Sequence, residues 1–230
     1  MANYMAWSYS RLSDFESCAL RFQHKYILKN IPFVTNEAME QGKAKHKMLE
    51  RDTVRAINNK PSACPDVAHV FPIIQSFVAK HPIVSVEQQW AFNQKLKPVD
   101  WFAKDVMFRA IVDMVGRTNV KSREIDQTAS VIDWKSGQFR LSEDQLKIYN
   151  MSVLLQWPQV ISSEAALVFI DQKKISPVLK TPRSHLDGIV DEFSDRSEAI
   201  QIAVQKDTWP ATQCFQCRWC EVQDCQYIRR

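Results

Sequence analysis

Apolar residues return along this chain at two spacings, and the switches between them divide it into segments. After Ser10, the residues Leu12, Phe15, Ala19, Phe22 and Tyr26 recur at helical intervals, with Cys18 between Phe15 and Phe22 on the same side. Asn36 has the side chain to cap a second helix that runs to about Ile57, along which His46, Leu49, Glu50, Val54 and Ile57 form one stripe. Residues 58–82 hold prolines, a cysteine and a short apolar helix around 67–80, which reads as an accessory element. The period then shortens to two, and 84–92, 104–115 and 130–135 pattern as strands. Ser142 starts a helix to about Gln156: Gln145 sits three residues on, as in a capping box, and Leu141 and Leu146 fit a hydrophobic staple. A buried strand over 165–170, a partner at 177–180 and an amphipathic helix over 186–206 complete the pattern. Helix, three-strand meander, helix and strand in that order predict an α/β fold with a mixed central sheet flanked by helices.

Composition narrows the function. The longest apolar run, Ala165 to Ile170, is far below membrane-spanning length, and MANYMAWSYSRL lacks a basic-then-apolar signal pattern, so an intracellular, cytoplasmic protein with no membrane partner is expected. A net charge of +4 permits a polyanionic partner without requiring one. Only Gly42, Gly116, Gly137 and Gly188 are glycines, against an average usage of roughly 7%. Neither a Walker A loop nor GxGxxG is present, so no nucleotide cofactor is expected, and the few glycines are expected to be needed where they stand.

The stretch VIDWKSG, residues 131–137, is a strand running into a turn, on which Asp133 and Lys135 share one face. If it pairs as an antiparallel hairpin with the strand ending near Gly116, Val115 faces Val131 and Asp113 faces Asp133. Like charges that close are destabilising, and two neighbouring carboxylates do not both ionise comfortably without a cation between them. Mg²⁺ or Mn²⁺ resolves the repulsion. His46 is the natural third ligand, on a helix whose approach to the sheet Gly42 eases. Lys135 then stands where an ammonium offsets charge building on a phosphate, which describes a phosphodiester hydrolase. Taken singly, an Asp-x-Lys on a strand is usually a solvated ion pair, His46 a structural histidine, Gln145 a capping residue and Tyr149 part of an apolar stripe. The conjunction carries more than its members.

GKAKHKMLE, FRAIVDMVG, VIDWKSG and QLKIY occur in that order. The set resembles the RecB-like branch of the PD-(D/E)xK nuclease superfamily, including AddB-type and CRISPR-associated exonucleases and their stand-alone viral relatives. The resemblance runs from Ser8 to Cys225. It implies His46, Asp113 and Asp133 as metal ligands, joined by the backbone carbonyl of Trp134, with Lys135 as catalytic lysine. Gln145 and Tyr149 match the Q-x-x-x-Y helix motif, implying support of the lysine and of a bound DNA strand. The implied activity is a metal-dependent DNA nuclease, a single-stranded DNA exonuclease working 5′ to 3′ in replication, recombination or repair. An inactive DNA-binding or scaffold protein that kept the fold is the rival. The implied organisation is one nuclease domain over 1–230, with a core over about 36–206, a helical insertion over about 58–82, and cluster-binding segments at 8–28 and 210–230.

Six cysteines are Cys18, Cys64 and the tail set Cys214, Cys217, Cys220 and Cys225. In an intracellular chain this crowding reads as metal ligation before disulfides. The tail alone offers either a four-cysteine zinc site or a ferredoxin-like cluster site. The resemblance implies another set, Cys18 with Cys217, Cys220 and Cys225 around a [4Fe-4S] cluster that staples the two chain ends. Cys214 and Cys64 would then be spare thiols.

Overall fold

In the computed structural model, residues 5–31, 36–118 and 127–228 are described. Most of the polar connector that the sequence places between the second and third strands lies outside them. By packing, the chain divides into two units: Thr35–Ile189, and the chain ends Met1–Val34 with Val190–Arg230.

The first unit opens on a long helix. In the unit of the chain ends, two shorter helices, α1 (Tyr9–Ser17) and α2 (Ala19–Phe22), precede it in sequence. The long helix, α3, spans Glu37–Ile57, and Asn36 caps it as the sequence predicts, accepting the Met39 N–H at 2.9 Å. Its inward stripe is Gly42, Leu49, Thr53 and Ala56, while Val54 and Ile57 of the expected stripe are exposed. Asp52 explains part of the rotation, because its buried carboxylate accepts from the Ser62 hydroxyl and from the Ala63 N–H at 2.9 Å and so holds the following loop.

A 3₁₀ turn (Pro65–Val70) and helix α4 (Phe71–Lys80) follow. Although the sequence suggests an accessory element here, Val67, Val70, Phe71, Ile74 and Phe77 belong to the main apolar core, with Leu49 of α3 and with Met114, Ile132, Trp134 and Val168 of the sheet. Pro65 and Pro72 stand in the first turns of these two helical pieces, where no intrahelical N–H is needed.

The sheet contains β1 (Ile83–Asn93), β2 (Pro98–Val99), β3 (Val106–Arg117), β4 (Thr128–Lys135), β5 (Ser162–Phe169), β6 (Lys174–Ile175) and β7 (Leu179–Pro182). Its order is β2-β1-β3-β4-β5-β6, with β7 also on β5. β1, β3 and β4 are antiparallel, and β4 and β5 are parallel, which requires a crossover. Helix α5 (Glu143–Gln156) provides it and packs on β3, β4, β5 and β7. Arg183 closes the C-terminal end of α5, donating to the carbonyls of Leu154 and Trp157 at 2.8 Å each and of Val160 at 2.6 Å. The mixed sheet flanked by helices agrees with the predicted class.

Two of the four glycines stand at close approaches. A Cβ at Gly116 would meet His81 and Phe77, and one at Gly42 would meet the Ser136 hydroxyl, whereas Gly137 and Gly188 face open space. The expectation that every glycine is required therefore holds for two.

His81 locks α4 to the sheet. Its Nδ1–H donates to the Phe77 carbonyl at 2.8 Å, leaving Nε2 to accept from Ser130 Oγ at 3.0 Å, which is the neutral tautomer. Burial holds this imidazole below its ordinary range; the Phe77 carbonyl opposes that and Lys80 reinforces it. As pH falls below about 6.5 the unfolded chain takes up this proton first, so stability is lost down to the depressed folded value and is flat beneath it. His46, held above its ordinary value, slopes the opposite way. A His81→Leu variant is therefore expected to show a thermal midpoint that falls less than wild type between pH 7 and pH 5, measured by calorimetry.

In the unit of the chain ends, the single helix expected after Ser10 is broken. Ser8 caps α1, which starts at Tyr9, and Cys18 adopts an extended conformation between α1 and α2, after which Gln23–Ile27 widens to a π turn. Within helix α6 (Leu186–Lys206), the part from Val190 onward belongs to this unit, where Phe193 stacks on Trp7 and Arg196 forms a double hydrogen bond with Glu16 at 2.7 and 2.8 Å.

Candidate metal centre

Strand β3 loses a rung of hydrogen bonding on both sides at one residue. Towards β1 the register steps from Val86↔Met114 to Gln88↔Val112, leaving Glu87 across from Asp113 outside the ladder, with φ at 47°. That left-handed conformation costs a residue with a side chain about 1–2 kcal/mol, and backbone strain of this kind concentrates at functional sites. Towards β4 the ladder contains the predicted Val115↔Val131 pair and ends at Met114↔Ile132. Beyond it the Asp113 carboxylate replaces a backbone acceptor, its Oδ2 taking the Trp134 N–H at 2.8 Å.

Helix α3 brings His46 to this opening, with Nδ1 3.4 Å from Asp113 Oδ2. One donor atom each from His46, Glu87 and Asp113 lies within 4.8 Å of the others. Beside them Asp133, buried, meets Lys135 Nζ at 2.6 Å, as residues on one strand face should. Asp133 Oδ1 accepts from the Tyr149 hydroxyl, and that hydroxyl accepts from Gln145 Nε2 at 2.8 Å. Ser142 caps α5 by accepting the Gln145 N–H at 3.3 Å, so Gln145 serves the cap through its backbone and Tyr149 through its side chain. The Trp134 indole is buried in the apolar core.

The electrostatics describe acids held close together. Burial pushes the Asp133 carboxyl up and Asp113 adds to this, against the Lys135 ammonium and the Tyr149 hydrogen bond. Glu87 is raised by burial and then by Asp113, with His46 opposing. Tyr149 lies well above the ordinary phenol value through burial and the Asp133 charge, so it remains a donor. Burial pulls His46 down, but the Asp113 hydrogen bond and the charges of Asp113, Asp133 and Glu87 together raise it. A divalent cation relieves all of these at once. Carboxylate oxygens with one imidazole suit Mn²⁺ or Mg²⁺, so the donor set fits such an ion. The site opens on a cavity of about 970 Å³ whose lining includes His46, Glu87, Lys43, Lys47, Met39 and Ile111.

Sequence reasoning places His46, Asp113, Asp133, Lys135, Gln145 and Tyr149; the fold joins His46 to Asp113 and links Lys135, Asp133, Tyr149 and Gln145 in a second chain of contacts, and the donor group of His46, Glu87 and Asp113 does not include Asp133. Glu87 it missed. In VSVEQQW a lone glutamate reads as the solvated face of a strand, and only the β1–β3 register puts it opposite Asp113.

A profile of the PD-(D/E)XK nuclease superfamily matches residues 6–225, and the chain belongs to that superfamily of metal-dependent nucleases. No curated protein matches the sequence. Among solved structures, the crystal structure of SSO0001 aligns at a TM-score of 0.46 and 14% identity, over 100% of this chain and 89% of that one.

The cysteines are less gathered than the resemblance implies. Cys18 is buried at the break between α1 and α2, with the Thr212 N–H 3.5 Å from its Sγ. The thiol in contact with Cys217 is Cys214, at 4.0 Å between sulfurs. Among the described residues no three cysteine sulfurs lie within common reach of a single ion. Cys64 is buried in the other unit, beside Arg51 Nη2 at 3.2 Å.

Proposed function

We propose that this chain is a Mg²⁺- or Mn²⁺-dependent deoxyribonuclease that degrades single-stranded DNA from an end, 5′ to 3′. The observation that supports it most is the His46, Glu87 and Asp113 donor group beside the Lys135–Asp133 pair, in a chain of this superfamily. In this reading His46, Asp113 and Asp133 hold the ion, and Glu87 is added to the set. The Trp134 carbonyl is a further candidate, because N–H and C=O of one strand residue point to the same neighbour and its N–H already points at Asp113. A bound ion supplies an activated water and polarises the phosphoryl group. Lys135, held by Asp133, offsets negative charge on the phosphate as the bond breaks. Tyr149 and Gln145 fix the Asp133 carboxylate and thereby the lysine. Lys43 and Lys47, lining the cavity, are placed to meet phosphates of the strand.

Incubation with end-labelled single-stranded and duplex DNA tests this. Cleavage of the single strand with Mn²⁺, abolished by chelator, is expected; binding without cleavage under every condition would favour the inactive DNA-binding or scaffold reading. Glu87→Gln, which removes the charge of a proposed ligand, is expected to weaken Mn²⁺ binding by at least about 10- to 100-fold, the scale on which even residues that only orient ligands act, and calorimetric titration reads this directly.

A [4Fe-4S] cluster on Cys18, Cys217, Cys220 and Cys225 forms the finer part of the proposal. It is supported by the resemblance and by the presence of all four residues in the unit of the chain ends. Cys18→Ser is expected to remove bound iron and visible absorbance, and Cys214→Ser to retain both. Loss with the Cys214 change alone would reverse the assignment.

A further inference from the structure

Cys214 has no part in that ligand set, yet its surroundings are not those of a spare thiol. It caps the 3₁₀ turn Phe215–Trp219, its backbone N–H donates to Cys217 Sγ at 3.2 Å, and the two sulfurs lie 4.0 Å apart. A C-x-x-C pair on a tight turn is the arrangement in which one thiol attacks and the other resolves. Next to the pair is a cavity of about 320 Å³ lined by Gln213, Cys214, Phe215, Cys217, Arg218 and Tyr227. It gives a small molecule access to both sulfurs, with a guanidinium in the wall for a carboxylate.

We propose that Cys214 and Cys217 form a redox dithiol that closes to a disulfide by exchange with a low-molecular-weight anionic disulfide, glutathione disulfide being the probe of that class. Cys217 Sγ, which accepts the Cys214 N–H, gives up its proton and attacks one glutathione sulfur; the S–S bond of the reagent breaks and one glutathione leaves as its thiolate. Cys214 then gives up its proton and attacks the Cys217 sulfur of the mixed disulfide, releasing the second glutathione. The two protons from the protein thiols end on the two glutathione thiolates, so the dithiol is oxidised by two electrons and one glutathione disulfide is reduced. Closing the gap from 4.0 Å to a bond of about 2 Å takes side-chain rotation within one turn. Because Cys217 is the shared residue, closure and cluster ligation exclude each other.

The full chain, treated with EDTA and glutathione disulfide, is alkylated and digested with trypsin. Cleavage after Lys206 and Arg218 isolates Cys214 and Cys217 in the peptide 207–218, while Cys220 and Cys225 fall in the next. The expected main product is that peptide lighter by two hydrogens and unalkylated. In Cys214→Ser, Cys217 is expected to accumulate the glutathione adduct about tenfold faster than Cys214 does in Cys217→Ser, because the backbone N–H at position 214 points at the Cys217 sulfur. In protein confirmed iron-free by metal analysis and visible absorbance, a wild-type peptide that stays doubly alkylated overturns the dithiol. Equal adduct rates in the two serine variants overturn the assignment of the attacking thiol.

Discussion

Asp113→Asn is expected to cut DNA cleavage in Mn²⁺ by about a thousandfold or more, the scale on which metal and transition-state charge stabilisation act, while raising the thermal midpoint in chelator. The two effects have one origin. Asp113 Oδ2 accepts the Trp134 N–H and lies beside His46, and an asparagine oxygen retains the acceptor role with nearly unchanged shape. What disappears is the charge that, without an ion, pushes Glu87 and Asp133 up. Removing it relaxes like-charge repulsion in a partly buried cluster, and exchanging stability for activity in this way is common where a site stores strain. A gel assay for cleavage and a melting curve in EDTA read the two quantities separately. An active Asp113→Asn variant would remove the ion from its proposed position, and a lowered midpoint would show the carboxylate charge to be structural.

The parts of this site that were legible in the sequence are those where chemistry and period coincide. The Val115↔Val131 pair follows from two apolar residues on strands joined in sequence, but the expected Asp113–Asp133 pair is not formed, because the ladder ends at Met114↔Ile132 and the Asp113 carboxylate takes the Trp134 N–H instead. The Asn36 cap and the Asp133–Lys135 contact follow from equally local rules. Glu87 was not legible because its role depends on a pairing between strands separated by β2 and on a left-handed φ that no apolar pattern signals. The break at Cys18 was hidden for a related reason, since apolar spacing continues through Phe15, Ala19 and Phe22 whether or not the backbone turns between them. Residues 58–82 read as accessory because prolines interrupt a short apolar helix. Their apolar residues become core only through packing against β3 and β4, which are distant in sequence.

That packing makes Gly116→Ala the most destabilising of three glycine-to-alanine substitutions, at positions 42, 116 and 188. A Cβ there would lie 2.5 Å from His81 Cγ, 2.6 Å from Phe77 Cε1 and 2.7 Å from His81 Cβ, all far inside contact distance. His81 does not swing clear without giving up the Phe77 carbonyl and the Ser130 hydroxyl, and Phe77 is fixed in the core. Overpacking of this kind costs about 3 kcal/mol, which in a chain of this size lowers the melting midpoint by roughly 10 °C. Gly42→Ala meets chiefly the Ser136 hydroxyl, at 2.7 Å, which rotates away, so its effect on stability should be small. Gly188→Ala, within α6 and facing open space, is expected to stabilise by about 0.8 kcal/mol through helix propensity. Melting curves of the three variants measure the ranking. A Gly116→Ala protein that melts within about 2 °C of wild type, less than 1 kcal/mol on the same scale, would mean that α4 is not seated on β3 as described, and the His81 acid dependence should then vanish with it.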